Sequence, residues 1–175
     1  KPLLWKHRDT GQEQNRIAYF NTGKYAFLAL VDAPDKGEEA WIGTNKAGFS
    51  IMNTASYNLK DDQEKEMDHE GKLMYRALEI CANLEDFERF LDTLSRPMRV
   101  EANFGVIDAS GGAAYYEVNN HSWVKVDAND PRIAPNGYLV YTNFSYTGRI
   151  SQGAGYMRYI TASDLFLQKS STMDF

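Results

Sequence analysis

The 175-residue sequence holds one cysteine, Cys81. A single thiol excludes an internal disulfide and any cysteine-rich metal site, and leaves the redox compartment open. His69 and His121 stand isolated, with no cysteine or carboxylate at a ligand spacing, so no metal is expected. Basic residues are the minority, 19 Lys and Arg against 24 Asp and Glu. The net charge of -5 and a pI near 5.2 deny the chain the basic footprint that nucleic acid requires. No apolar run approaches the roughly 20 residues of a membrane helix, so no membrane span is expected. Internal repeats and low-complexity linkers are absent. The chain begins with Lys rather than Met and has no signal-like apolar region, so a processed or truncated product is expected.

What is present fits a globular domain. Hydrophobic residues make up 43% and charged residues 25%, enough for a real core in a single, partial domain over residues 1–175. The aromatic share of 13%, weighted to Tyr and Phe, suits sheets and their packing faces. Strand-like runs cover Leu3 to Lys6, Arg16 to Phe20, Tyr25 to Val31, Ala40 to Gly43 and Phe49 to Asn53, with short turns at Asn21-Thr-Gly23 and Asp35-Lys-Gly37. They predict an antiparallel meander. A helix is expected over Gln63 to Ala82, with Met67, Met74, Leu78 and Cys81 on its apolar stripe. A second starts at the N-cap Asn83, carries Leu84, Phe87, Phe90, Leu91 and Leu94 inward, and stops before Pro97. The short link predicts that the two pack antiparallel on one sheet face. Strands return at Asn103 to Asp108 and Ala113 to Val118 around the hairpin signal Ala109-Ser-Gly-Gly112, then at Ser122 to Val126 and Gly137 to Asn143. Gly155 to Gln168 reads as a third helix. The order predicts an α+β layered fold with largely antiparallel sheets and outer helices.

Read alone, the polar residues at the ends of these elements have ordinary roles. Asp9 would cap the turn before Thr10 and Gly11, Asn53 and Asn143 would bond loop backbone at strand ends, and Arg158 would form a surface ion pair. Asn45 would shape the turn Lys46-Ala-Gly48. Cys81, on an apolar helical stripe, reads as a buried small hydrophobe. The carboxylates from Asp61 to Glu70 read as a solvated helix face.

Four stretches nevertheless occur in a telling order: Lys1-Pro-Leu-Leu-Trp-Lys-His-Arg-Asp-Thr10, Gly43-Thr-Asn-Lys-Ala-Gly-Phe-Ser-Ile-Met-Asn53, Tyr141-Thr-Asn143 and Gly155-Tyr-Met-Arg-Tyr159. This set resembles the linear-amide C–N hydrolases with an N-terminal nucleophile (Ntn), the choloylglycine hydrolase-like superfamily that includes bile salt hydrolases, penicillin acylases and acid ceramidase. The stretch Phe104 to Glu117 resembles the central hairpin of the branch containing acyl-coenzyme A:6-aminopenicillanic-acid acyltransferase. The resemblance runs from Trp5 through the helix around Arg158.

The resemblance implies a four-layer αββα sandwich with mostly antiparallel sheets. This chain would then be a fragment lacking the N-terminal nucleophile strand and a C-terminal part. It implies autoproteolysis that exposes a cysteine upstream of Lys1, attack on an amide or N-acyl small molecule through a thioester, and hydrolysis or acyl transfer from it. Asp9 would bond the cysteine and its amine. Asn53, through its backbone N–H, and Asn143, through its side-chain amide, would hold the oxyanion. Arg158 would polarise the site. Lys6 stands where many relatives have Arg and could lower the thiol pKa; His7 stands where Asn is frequent. The four residues Asp9, Asn53, Asn143 and Arg158 are expected to converge on one pocket. No metal or organic cofactor is implied. A homo-oligomer is left open, and a secreted or periplasmic location is compatible. The alternative is a catalytically silent small-molecule-binding module on the same fold.

Overall fold

Among the described residues seven strands pair antiparallel in strict chain order, each hydrogen-bonded to its sequence neighbour. The computed structural model describes residues 1–33, 37–59, 62–63, 68–148 and 153–169. The strands are β1 (Asn15–Phe20), β2 (Phe27–Asp32), β3 (Ile42–Asn45), β4 (Ser50–Ala55), β5 (Ala102–Ile107), β6 (Ala113–Val118) and β7 (Trp123–Asp127). Helices α1 (Glu70–Ile80) and α2 (Leu84–Thr93) intervene between β4 and β5, and α3 (Ala154–Lys169) comes last. Among the described residues no helix is long and apolar enough to cross a membrane.

Local chemistry sets the turns. In the β3–β4 hairpin, Asn45 Oδ1 accepts the N–H groups of Ala47 and Phe49, while Gly48 takes φ +86°. The same side chain donates Nδ2 to the carbonyls of Leu78 and Cys81, tying the hairpin to the end of α1. In the β5–β6 hairpin, the Asp108 carboxylate accepts the N–H groups of Ser110, Gly112 and Leu84. At the start of α2, Asn83 Oδ1 accepts Asp86 N–H, and the Asp86 carboxylate accepts Ala82 N–H.

The main core lies between the sheet and helices α1 and α2. Phe27, Phe49, Ile51, Phe104 and Tyr116 meet Met74, Leu78, Phe87 and Leu91 there. The opposite face carries a smaller cluster, Met52, Tyr115 and Val126, with Leu4, Leu139, Tyr141 and Tyr146 packed on it.

Five expectations are corrected. Leu3 to Lys6 does not form a ladder strand. Its alternation of burial survives: Leu4 and Lys6 are partly buried while Leu3 and Trp5 are exposed. Gly137 to Asn143 is not a strand either, because side chains take the carbonyls that a ladder would use: Val140 O accepts from the Tyr146 hydroxyl and Thr142 O from the Thr54 hydroxyl. Helix α1 begins at Glu70 rather than Gln63, after an N-cap residue, His69, that makes no capping side-chain bond; Met67 lies outside the described residues. Cys81 is the C-cap of α1 instead of an interior residue. Glu70, expected on a solvated face, is buried, and most of the acidic run before it lies outside the described residues. The α+β class and the antiparallel sheet stand, and of the four expected layers the described residues form one sheet and the helical layer over one face.

Candidate active site

The site is built on one edge of β4. Asn45 N–H donates to Phe49 O and Ser56 N–H to Glu101 O, each at 2.9 Å. Bonded and non-bonded pairs alternate along an antiparallel ladder. Ser50, Met52 and Thr54 therefore bond toward β5, whereas Ile51, Asn53 and Ala55 turn their N–H and C=O toward β3. At Asn53 that neighbour has gone: Trp41 N–H donates instead to Leu30 O of β2 at 2.9 Å. Trp41 O accepts the Lys6 ammonium at 2.8 Å. The Asn53 N–H thus faces a gap in the sheet.

Asn143 occupies the next place along this edge. Its Nδ2 donates to Ala55 O at 3.0 Å, and its own carbonyl accepts Tyr57 N–H at 3.0 Å. Asn53 and Ala55 are two positions apart on the strand, about 7 Å. The backbone N–H of one asparagine and the amide of the other therefore lie along a single strand edge. The Asn53 side chain is buried on the face shared with its cross-strand partner Phe104, and its Oδ1 accepts Lys6 Nζ at 2.8 Å.

Arg158, near the start of α3, donates to Asn143 Oδ1 at 2.6 Å. Its other terminal nitrogen is 4.0 Å from Asp9 Oδ2. The side chains of Arg158 and Asp9 are 51% and 78% exposed, so the contact is a weak, solvent-screened pair. The turn after Asp9 is capped by Thr10, whose hydroxyl accepts Gln12 N–H. Asp9, Arg158 and Asn143 thus form one chain of contacts. Lys6 and Asn53 form another, and the two meet through the Lys6 to Asp9 segment and the β4 edge. Gly155 is required here, since a Cβ would lie 2.4 Å from Asn143 O.

Sequence reasoning passed over the anchor of the N-terminal segment. Arg8 pairs with Asp32 at 2.7 Å and stacks over Trp41, 5.1 Å from the ring centroid. The basic run Lys6-His-Arg8 carried that signal, but its partners lie 24 and more residues away. It also passed over Asn103 and Glu117, buried polar residues in β5 and β6. Cys81 is buried, and burial pushes its thiol up to about 12, which leaves it unreactive at neutral pH. Among the described residues no three His, Cys, Asp or Glu gather as a metal set.

No family model matches the sequence, and no curated protein does. Solved structures do match. The N-acylethanolamine-hydrolyzing acid amidase ortholog of Caenorhabditis elegans has a TM-score of 0.50 at 16% identity, with 90% of this chain and 67% of that one covered. The fold is that of the Ntn hydrolases. Penicillin V acylase from Agrobacterium tumefaciens is similar at 15% identity and TM-score 0.47, over 84% of this chain and 42% of that one. A mutant of conjugated bile acid hydrolase from Clostridium perfringens is similar at 16% identity and TM-score 0.46, over 89% and 61%. The chain spans between 42% and 67% of the length of these structures. At 16% identity the likeness to the amidase ortholog carries the fold alone.

Lys6 gives this Ntn fold a titratable group at the β3–β4 gap. Burial, and secondarily the neighbouring Arg8 charge, lowers its pKa from 10.5 to about 7. Between those values the unfolded chain holds a proton that the folded chain has released, so folding stability rises with pH across that window. Denaturant unfolding measured from about pH 7 to 10 is expected to show this rise, and Lys6→Met is expected to flatten it. An equal slope in both proteins would remove Lys6 as the cause.

Proposed function

We propose that the protein is an Ntn cysteine amidohydrolase of linear C–N bonds, whose nucleophile is carried outside residues 1–175. The observation that carries this reading is the placement of the Asn53 N–H and the Asn143 amide on one β4 edge, with Lys6, Asp9 and Arg158 around it. A thiolate entering the gap would attack the amide carbonyl carbon. The oxyanion would fall to the two asparagine donors, each worth on the order of 3 kcal/mol of barrier. The C–N bond then breaks, the amine leaves with a proton, and the acyl group stays as a thioester for water or an acceptor amine. Asp9 would hold the free α-amino group, whose ordinary pKa of about 8 suits it to act as base. Arg158 would orient Asn143 through their direct bond.

Substrates would be small N-acyl or amide molecules. The test is turnover of N-acyl amino acids, penicillin V and bile-salt conjugates by the full-length protein and by its cysteine-to-alanine variant. Amide cleavage lost with the cysteine supports the reading. Binding of these compounds without cleavage would identify a silent module, and equal turnover in both proteins would place the nucleophile elsewhere.

A further inference from the structure

A polar row crosses the sheet face opposite α1 and α2. Asn103 of β5, fully buried, pairs directly with Thr54 of β4 and with Glu117 of β6. Directly opposed residues share a face. The next row on that face is Met52, Gly105 and Tyr115. Burying an amide and a carboxylate here is costly unless each is bonded.

Apart from a bond from Asn103 Nδ2 to Thr54 Oγ1 at 3.3 Å, their bonds go to one segment, residues 141–147, which crosses the face without a ladder. Thr54 Oγ1 donates to Thr142 O at 2.5 Å. Asn103 Nδ2 lies 3.4 Å from Thr142 O and 3.3 Å from Phe144 O, the carbonyls on either side of Asn143. Asn103 Oδ1 accepts the Ser145 hydroxyl at 2.6 Å. Glu117 accepts the Tyr141 hydroxyl at 2.8 Å, Tyr146 N–H at 2.5 Å and Thr147 N–H at 2.9 Å. Thr54 and Asn103 thus hold the 142–143 peptide group, Tyr57 N–H holds the 143–144 group through Asn143 O, and Asn103 and Glu117 hold the residues that follow. Two pinned peptide planes leave little freedom in φ and ψ at Asn143, which sets where its side chain leaves the backbone.

We propose that Asn103, supported by Thr54 and Glu117, is the positioning residue for the Asn143 amide. Its kinetic consequence rests on the amidase reading; its geometric consequence does not. Asn103 touches no reacting atom and acts only through the 141–147 segment.

The test uses Asn103→Asp in the full-length protein. The substitution keeps size and the acceptor for Ser145, but it replaces the donor between two carbonyls with an oxygen. Hydrogen exchange at Tyr57 N–H, which donates to Asn143 O, is expected to quicken about tenfold or more while β5–β6 amides keep their rates. Amide turnover is expected to fall roughly 10- to 100-fold in kcat, with KM little changed. The Asn103→Asp/Asn143→Ala double variant is expected to be no slower than Asn143→Ala alone. An unchanged Tyr57 rate, or additive losses in the double variant, overturns the proposal. If Asn103→Asp loses protection across the whole sheet, Thr54→Val decides: quickened Tyr57 exchange alone supports the proposal and an unchanged rate overturns it. A wild-type protein that cleaves no amide defeats the amidase reading, while the Tyr57 measurement still decides the positioning role.

Discussion

Asn143→Ala in the full-length protein is expected to lower kcat for amide cleavage about 10²- to 10³-fold, the usual loss for one oxyanion donor. The physical reason lies in what Nδ2 has left to give. It carries two hydrogens, and Ala55 O takes one at 3.0 Å. The other would be free for an oxyanion that exists only along the reaction path. Loss of such an interaction appears in kcat rather than in KM. Asn143 is partly exposed and outside the main core, so thermal unfolding should shift only modestly. Single-turnover acylation with a chromogenic N-acyl substrate makes the measurement. A kcat within about twofold of wild type, with the fold intact, would remove Asn143 from the oxyanion role.

The largest effect on stability is expected at Phe87. Its ring is fully buried, with ring centroids of Tyr116 at 5.1 Å, Phe49 at 6.0 Å and Phe104 at 6.2 Å around it. It joins α2 to the β3–β4 hairpin and to strands β5 and β6. Phe87→Ala removes that aromatic surface and leaves a cavity that rigid strands cannot close, for about 3–5 kcal/mol. In a chain of this size the Tm should fall by roughly 10 °C. Phe90, only partly buried on the same helix, is the control, and its alanine variant should cost clearly less. Equal losses at the two positions would mean that α2 does not hold the sheet through Phe87.

The pH dependence of stability expected from Lys6 is independent of these two effects. It reports the gap between β3 and β4 directly, without substrate, and therefore reads the geometry beside the Asn53 N–H independently of turnover.

The hairpins around Asn45 and Asp108, helix α2 with its Asn83 cap, and the burial of Cys81 were all legible in the residues. Each is decided within a few positions, by a side chain bonding a nearby backbone group or by an apolar period of one helix. The absence of basic excess and of a long apolar run was equally plain. The site was not legible in this way. That Asn53 presents an N–H follows from Trp41 turning to Leu30, and that Lys6 enters the gap follows from bonds to Trp41 and Asn53, 35 and 47 positions away. Gly137 to Asn143 has the composition of a strand, yet Thr54, 88 positions from Thr142, and Asn103, 39 positions from it, take its carbonyl. A strand is decided by which segment offers it a ladder, and an open edge by which segment fails to. Composition and spacing carry local preferences, while only the folded sheet decides which backbone groups are left without a strand beside them.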